Sequence, residues 1–212
     1  MAGTDDAPDH AALRQYTSPR QHTEQGRERK QQLVDAAMDL FAERGYAATR
    51  IADICETAGV AKGLFYWYFP TKQALFAELV RSMRQRLRRA QAAALDPDGD
   101  ALTHIRQGVE ASVRFMAEHA PYFALLQVER TDEHLSATLR EGSDVYLRDV
   151  VAHICEAQRD GQIADTDPTL LALGVLGAVS SFSNAWRNGR IELSADELAT
   201  FVGVWVVRAL SN

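Results

Sequence analysis

The sequence predicts an all-α protein of about nine helices, with an N-terminal three-helix domain of the helix-turn-helix type and a C-terminal helical domain. Apolar residues recur three or four positions apart along most of the 212 residues, which is the period of an amphipathic helix. No segment shows the sustained apolar–polar alternation that would indicate a strand. Glycine and proline are sparse, and most stand where helices would end.

Composition favours a soluble cytoplasmic protein without metal or cofactor. Hydrophobic residues make up 46% of the chain, yet no apolar run approaches the ~20 residues that span a bilayer. The polar segment 1–26 lacks the apolar stretch of a secretory signal and is predicted to be a disordered tail. Cys55 and Cys155 lack a Cys-x-x-Cys partner, so both are predicted to be reduced and buried; a redox pair would require them to meet in space. The histidines lack metal-ligand spacing.

Charge is distributed unevenly along the chain. Residues 20–90 carry 13 basic and 8 acidic side chains, a net charge of +5, whereas residues 91–212 carry 9 and 18, a net charge of −9. The formal net charge of the whole chain is −6. The N-terminal third is therefore the candidate for binding an anionic partner such as nucleic acid.

Three short helices are predicted before residue 70. The first covers 27–44 and ends at Gly45. The second begins after Thr49, its predicted N-cap, and ends at a tight turn around Gly59. The third runs from Ala61 to about residue 68 and must end before Pro70.

A long helix, capped by Thr71 and reaching about residue 94, is predicted to belong to both domains. The segment 96–100 (DPDGD) is the clearest break in the chain. We place a helix-turn-helix domain at 27–80 and a ligand-binding and dimerisation domain at 81–212. Further helices are predicted at about 100–119, 121–130, 132–160, 167–188 and 194–210. Their terminal signals are Asp167 before Pro168, Asn188 before Gly189, and Ser194 with Glu197.

The third helix has an unusual outer face. Ala61, Phe65 and Phe69 are predicted to be buried, which leaves five residues pointing outward: Lys62, Gly63, Leu64, Tyr66 and Trp67. Tyrosine hydroxyls and lysine suit phosphate oxygens, glycine permits close approach, and apolar side chains suit thymine methyls. Alternatively, Tyr66, Trp67 and Tyr68 pack between helices or form a protein interface.

The segment GYAATRIADICETAGVAKGLFYWYFPTKQALF, within residues 27–80, resembles the tetracycline-repressor-like (TetR) family. Nearly every element of the family pattern has a counterpart here, in order and without gaps. The resemblance implies that the DNA backbone is contacted by Thr49, Tyr66, Tyr68 and Lys72. It places Lys62, Gly63, Leu64 and Trp67 at or near base edges.

Three positions depart from the family pattern, so base preference is not carried over. Ala61 stands where serine is common, which removes a side-chain cap from the third helix. Leu64 replaces a frequent threonine or serine, and Arg50 replaces a frequent threonine. Arg50 either adds a phosphate contact or lies in solvent.

In TetR-like proteins the last two helices pack against their copies in a dimer. Two apolar stripes at helical spacing are the candidate interface here: Leu171, Val175, Val179, Phe182 and Trp186, and Leu198, Phe201, Val202 and Trp205. These stripes alone would fit packing within one subunit equally well. We predict a homodimer mainly because the resemblance implies one. An operator of two-fold symmetry also requires two copies of the helix-turn-helix domain, which we call the head.

The resemblance to the TetR family implies that the middle helices line a cavity for an unidentified small effector. Candidate lining residues, which ordinary core packing explains as well, are Phe115, Met116, Tyr122, Phe123, Leu126 and Tyr146. Aromatic and methionine side chains suit an apolar or amphipathic molecule. Arg114, Arg130 and Arg148 could pair with an anionic group or simply lie in solvent.

These features predict a ligand-responsive transcriptional regulator, a repressor that binds a palindromic double-stranded DNA operator as a dimer. An activator or a ligand-independent regulator with the same head is the alternative. The sequence contains no nucleophile elbow, His-Glu-x-x-His motif or phosphate loop, so no enzymatic activity is expected. A protein-interaction module would differ by lacking salt-dependent DNA binding.

Overall fold

The computed structural model describes residues 24–128 and 133–211. Within these ranges the chain forms nine α-helices and no strand, which confirms the all-α prediction. The helices are α1 (Glu24–Arg44), α2 (Ile51–Thr57), α3 (Lys62–Tyr68), α4 (Lys72–Ala94), α5 (Ala101–Glu118), α6 (Ala120–Val128), α7 (Glu133–Arg159), α8 (Pro168–Arg187) and α9 (Ala195–Leu210).

Helix α1 begins at Glu24, three residues earlier than predicted. Gly26, assigned to a disordered tail, is buried in the first turn, and its carbonyl accepts a hydrogen bond from the Tyr68 hydroxyl at 2.8 Å. This contact with α3 orders the start of α1, and sequence periodicity does not report it. Residues 1–23 of the expected tail lie outside the described part of the chain.

The N-cap of α2 is Arg50, not Thr49. Asp53 in the first turn accepts a hydrogen bond from the Arg50 backbone N–H at 3.1 Å. Thr49 is instead 1% exposed, and its hydroxyl donates back to the end of α1. The turn after α2 contains Gly59 at φ +64°, a left-handed conformation that glycine adopts without steric cost.

Helices α1, α2 and α3 enclose one hydrophobic core together with the first half of α4. Phe41, Ile54, Phe65 and Phe76 are almost completely buried there. Phe65 and Phe69 anchor α3 as predicted, but Ala61 is exposed because it is the N-cap and precedes the first turn. Thr71 caps α4 as predicted, its hydroxyl accepting from the Ala74 N–H at 3.0 Å.

The C-terminal domain has a second core, formed where α5 packs on α7, α8 and α9. Its helix ends follow the local signals in the sequence. Asp167 caps α8, Asn188 ends it, and Ser194 with Glu197 forms a capping box at α9. These three assignments are confirmed because a cap depends on residues only two to four positions away.

Helix α6 joins the two domains. It contacts α1 of the head as well as α5, and its Tyr122 and Leu125 are buried in the head core, not in the second core. Phe115 of α5 lies in the same cluster. The head therefore packs against α6 as well as α4, and the first half of α4 forms part of the head core.

By length and composition alone, helix α8 could cross a membrane. This differs from the expectation that no apolar run approaches the length of a membrane span. Composition alone does not distinguish a membrane span from an interface helix. Here 28% of the apolar window is buried, and α8 packs on α5, α7 and α9. Much of its apolar surface remains uncovered within the chain.

Candidate nucleic-acid interface and ligand cavity

The outer face of α3 combines exposed polar residues with a rigid support. Phe65 is completely buried beneath it, and Phe69 is 3% exposed. Opposite these anchors, Lys62 and Gly63 are exposed and Tyr66 is 49% exposed. A Cβ added at Gly63 would meet no atom within 4 Å, so this position is open to an approaching partner.

The other outer residues of α3 are less exposed than Tyr66. Leu64 and Trp67 are half-buried, and the Trp67 ring packs edge-on against Tyr68 at 4.6 Å between centroids. The Lys62 ammonium lies 6.0 Å from the centre of the Tyr66 ring, so charge and aromatic hydroxyl occupy one patch. Partial packing restricts the rotamers of these side chains, and an ordered surface loses less entropy on binding.

Tyr68 ties α3 to α1. Its hydroxyl donates to the Gly26 carbonyl at 2.8 Å, and its half-buried ring packs against the head core. Desolvation by burial raises the pKa of this phenol above its usual range. Tyr68 therefore packs between α1 and α3, as the alternative interpretation of this residue predicted.

Thr49 and Lys72 hold the loop between α1 and α2. The Thr49 hydroxyl is within hydrogen-bonding distance of the Gly45 carbonyl at 2.8 Å and the Leu40 carbonyl at 3.2 Å. The Lys72 ammonium donates to the carbonyls of Tyr46 at 2.7 Å and Thr49 at 2.8 Å, and it lies 4.3 Å from the centre of the Tyr46 ring. Both side chains therefore have a structural role, and the Thr49 hydroxyl is buried away from any surface partner.

Arg50 lies in solvent at the start of α2. Its side chain is 80% exposed and forms an ion pair with Asp53 at 3.2 Å. Hydrogen bonds from Arg50 hold the pKa of the Asp53 carboxyl below its usual range. Of the two alternatives for Arg50, the structure shows the exposure to solvent.

Two further cations belong to this surface and were missed by sequence reasoning. Arg27 and Arg29 are exposed on the first turns of α1, beside the Gly26–Tyr68 contact at the end of α3. Arg29 lies near enough to Tyr68 to oppose the rise of the phenol pKa. Both arginines were placed in the first predicted helix, but only the tertiary contact between Gly26 and Tyr68 shows that they lie beside α3.

A cavity of about 740 Å³ lies in the C-terminal domain among α4, α5, α6, α7 and α8. Four predicted residues line it: Met116, Phe123, Leu126 and Tyr146. Burial raises the pKa of Tyr146 to about 12, so its phenol is neutral in the neutral range. The volume falls within the range of small-molecule sites.

Phe115 and Tyr122 do not line this cavity, so these two predictions were wrong. Phe115 is 5% exposed and stacks on His119 at 4.1 Å between centroids, and Tyr122 is 4% exposed in the head core. Helical periodicity indicates that they are buried. It does not indicate which of two neighbouring apolar spaces each one enters.

Polar groups of the cavity wall were not predicted. Gln91 of α4 donates to the Ser112 hydroxyl of α5 at 2.9 Å, and His104 and His153 face each other with ring centroids 6.3 Å apart. Arg187 at the end of α8 is the one arginine or lysine among the lining residues described.

Of the arginines considered from the sequence, Arg114 lies away from this wall and pairs with Asp196 of α9 at 2.7 Å. Arg148 is exposed on α7 and does not line the cavity. Arg130 lies outside the described residues.

The two predicted dimer stripes divide between the core and the surface. Four members are buried within one subunit, so their assignment to an interface was wrong: Val175, Val179, Leu198 and Val202. Leu171, Phe182 and Trp186 are half-buried against the second core. Phe201 and Trp205 are the two predicted members that are exposed, and each packs edge-on against Phe182.

An exposed apolar face nevertheless exists on the last two helices, displaced around α8 from the predicted stripe. It consists of Leu170 and Leu173 on α8 and Phe201, Val204 and Trp205 on α9. Gly174 and Gly177 lie on the same exposed side of α8, and a Cβ at either would meet no atom within 4 Å. Residues 170, 173, 174 and 177 follow helical spacing, so they form one continuous strip.

Comparison with known proteins identifies the family. Residues 33–79 match the model for bacterial regulatory proteins of the tetR family, and residues 98–210 match the tetracyclin repressor-like C-terminal domain. The chain belongs to the TetR family of transcriptional regulators. Both domains of this TetR-family chain are matched, and the helix-turn-helix of the family corresponds to α2 and α3.

Three similar proteins illustrate the range of the family. This TetR-family chain is 23% identical over 186 residues to the helix-turn-helix-type regulator YhgD of Bacillus subtilis (strain 168), covering 87% of this chain and 97% of that one. It is 26% identical over 167 residues to a probable acrEF/envCD operon repressor of Escherichia coli (strain K12), covering 74% and 75%. Its fold matches FadR of Bacillus subtilis, solved in complex with stearoyl-CoA, with TM-score 0.74 at 22% identity, covering 84% of this chain and 97% of that chain.

Proposed function

We propose that this TetR-family regulator is a homodimeric repressor that binds a palindromic operator through α3 and is released by a small amphipathic effector. The observation that supports it most is the outer face of α3, where Lys62, Gly63 and Tyr66 are exposed over the buried anchor Phe65. A short rigid helix with this surface fits the major groove. The E. coli relative named as an operon repressor supports the sign of regulation.

Three groups of residues are proposed to contribute to DNA binding: those that contact the DNA directly, those that supply flanking charge, and those that hold the helices in place. Lys62, Gly63, Leu64 and Trp67 lie at or near base edges, whereas Tyr66 contacts phosphate. Arg50, Arg27 and Arg29 supply flanking positive charge. Thr49, Tyr68 and Lys72 contribute mainly by holding α2 and α3 in place, since their polar side-chain atoms bind within the head.

The proposed dimer is formed by the exposed apolar face of α8 and α9 against a second copy. Leu170, Leu173, Phe201 and Trp205 are each at least 45% exposed, and large apolar side chains left exposed on two neighbouring helices favour an interaction surface. Glycines at 174 and 177 allow two α8 helices to approach closely. The same face, exposed in water, explains how α8 can have a membrane-like composition in a DNA-binding protein.

Effector binding is proposed to change the spacing of the two heads. The cavity wall includes Leu87 and Gln91 of α4 and Phe123 and Leu126 of α6, and both helices contact α1. A ligand that favours one arrangement of these helices shifts the population of head positions. Operator and effector then oppose each other reciprocally. The FadR structure with stearoyl-CoA supports an amphipathic effector.

The head is tested by fluorescence anisotropy on DNA that flanks the gene, at two salt concentrations. Wild-type protein should bind far more tightly to its operator than to random DNA, with affinity falling steeply as salt rises. A Lys62→Ala Tyr66→Ala variant should lose this binding, whereas Arg159→Ala, which removes an exposed cation from the end of α7, should not. Equal binding by all three proteins would contradict the assignment.

The dimer is tested by sedimentation velocity of a Leu170→Glu Trp205→Glu variant. The wild-type chain should sediment as a dimer and the variant as a folded monomer with weakened operator binding. A dimeric variant would place the interface elsewhere. An activator with the same head is distinguished by a promoter reporter, in which deletion of the regulator would lower expression instead of raising it.

A further inference from the structure

Arg187 occupies an unusual position at one end of the cavity. It is half-buried, its burial lowers the guanidinium pKa, and its terminal nitrogen donates to two amide oxygens, Gln127 Oε1 at 2.9 Å and Asn184 Oδ1 at 3.0 Å. These bonds orient the guanidinium, but neutral amides do not neutralise its charge.

Among the side chains that the structure describes, those of residues 24–127, 144 and 146–211, no carboxylate lies within ion-pair distance of Arg187. By contrast, Arg88 beside the same cavity pairs with Asp149 at 3.1 Å, and Arg114 pairs with Asp196 at 2.7 Å. A partly desolvated cation without a counter-ion is unfavourable, and a bound anion would offset that cost.

A polar group without a hydrogen-bond partner lies one helical turn away. Ser183 lines the cavity and is 4% exposed, and its hydroxyl has no hydrogen-bond partner among the residues described. A buried hydroxyl normally finds a partner, so an orphaned one at a cavity wall indicates a missing ligand or water. Ser183 and Arg187 are four positions apart on α8 and therefore share a face.

The rest of the cavity is suited to an apolar body. Ile105, Val109, Met116 and Val150 form part of its wall between α5 and α7. Two carboxylates also belong to the lining: Asp149 is occupied by Arg88, and Asp144 is exposed. The cavity thus has an apolar interior, and its uncompensated positive charge lies at the end of α8.

We propose that the effector is an anionic amphiphile whose carboxylate or phosphate head binds Arg187, with Ser183 as an additional donor, and whose apolar body fills the space between α5 and α7. This inference rests on the proposed function for its regulatory meaning. The binding site itself is independent of DNA. Arg187 presents a planar set of N–H donors, which matches both oxyanion classes.

The test is isothermal titration calorimetry of the full chain with four probes that share one alkyl tail: dodecanoate, dodecyl phosphate, dodecanol and dodecylammonium. Both anions should bind at least roughly tenfold more tightly than dodecanol, as expected for a charge-assisted hydrogen bond. The ratio between dodecanoate and dodecyl phosphate distinguishes a carboxylate from a phosphate head. Dodecylammonium should bind most weakly.

Arg187→Gln should abolish the preference for anions while dodecanol affinity stays within about twofold, since only the charged contact is removed. Arg190→Gln, which removes an exposed arginine three residues beyond, is the matched control and should behave as wild type. Preference for dodecylammonium, an unchanged preference in Arg187→Gln, or no binding of any probe would overturn the proposal. Operator anisotropy is measured on the same samples. Failure to bind the operator would contradict the proposed function, whereas a failed anion preference with intact operator binding would contradict only the proposed effector site.

Discussion

Tyr122 and Phe123 are neighbours on α6 whose rings pack edge-on at 5.0 Å between centroids, and only Phe123 also lines the cavity. Tyr122 is buried in the head core, whereas Phe123 is half-buried between that core and the cavity. One turn of helix therefore contacts both the space proposed for the effector and the core that supports α3.

This arrangement predicts different effects for two alanine variants. Tyr122→Ala should lower the free energy of unfolding by about 3–5 kcal/mol, because it removes a buried aromatic ring. Phe123→Ala should cost less, since the ring is half-buried, and should leave operator affinity without ligand within about twofold while reducing the effect of a bound anionic amphiphile. Urea unfolding and operator anisotropy measure these quantities. An undiminished ligand effect in Phe123→Ala would show that α6 is not part of the coupling.

Thr49→Val should destabilise the head by about 1–3 kcal/mol, because the half-buried Gly45 carbonyl and the buried Leu40 carbonyl lose their contact with the hydroxyl. Thr49→Ser retains the hydroxyl and is the matched control. The measurement is the midpoint of urea unfolding. A midpoint for Thr49→Val equal to that of wild type would mean that these contacts contribute nothing to stability.

Lys62 and Lys72 should differ in the salt dependence of operator binding. Lys62→Ala should reduce the slope of log K against log salt by about 1 for each head, because it removes one cation from the surface proposed to face the DNA. Lys72→Met should weaken binding by loosening the α1–α2 loop but leave the slope unchanged, because its ammonium binds carbonyls of that loop. Anisotropy titrations over a range of salt concentrations measure both slopes. Equal reductions in slope would show that Lys72 reaches phosphate in the complex.

Glu197 predicts a pH-dependent contribution to stability. Its carboxylate accepts hydrogen bonds from the Ser194 hydroxyl at 2.7 Å and from the Ser194 N–H at 2.8 Å, and these bonds hold its pKa below the usual 4.5. A lowered carboxyl pKa stabilises the folded state above pH 4.5, and this stabilisation is lost as the pH falls through the lowered value. Glu197→Gln should therefore be less stable than wild type at neutral pH, and the difference should vanish in strong acid.

The measurement is urea unfolding as a function of pH, with Glu192→Gln as the control. That substitution removes the same charge from the exposed loop before α9. If both variants showed the same pH-dependent difference from wild type, the effect would reflect net charge and not the capping box.

Much of the candidate DNA-binding surface was predictable from sequence. The burial of Phe65 and Phe69 follows from their spacing, and with that face occupied the exposure of Lys62, Gly63 and Tyr66 follows as well. Thr49 was misassigned as a cap because its residue type suits both a helix start and a buried contact with the preceding helix. Only the position of the α1 carbonyls distinguishes the two.

The sequence alone determined the helices, the caps at Thr71, Asp167 and Ser194, and the family, because these depend on residues close together in the chain. The tertiary structure decided which apolar face of α8 is buried, since Val175 and Leu173 have equally apolar neighbours at helical spacing. It also decided that Tyr122 supports the head while Phe123 lines the cavity, and that Arg187 lies at that wall without a described carboxylate partner. These outcomes depend on where distant helices pack, and local periodicity carries no information about that.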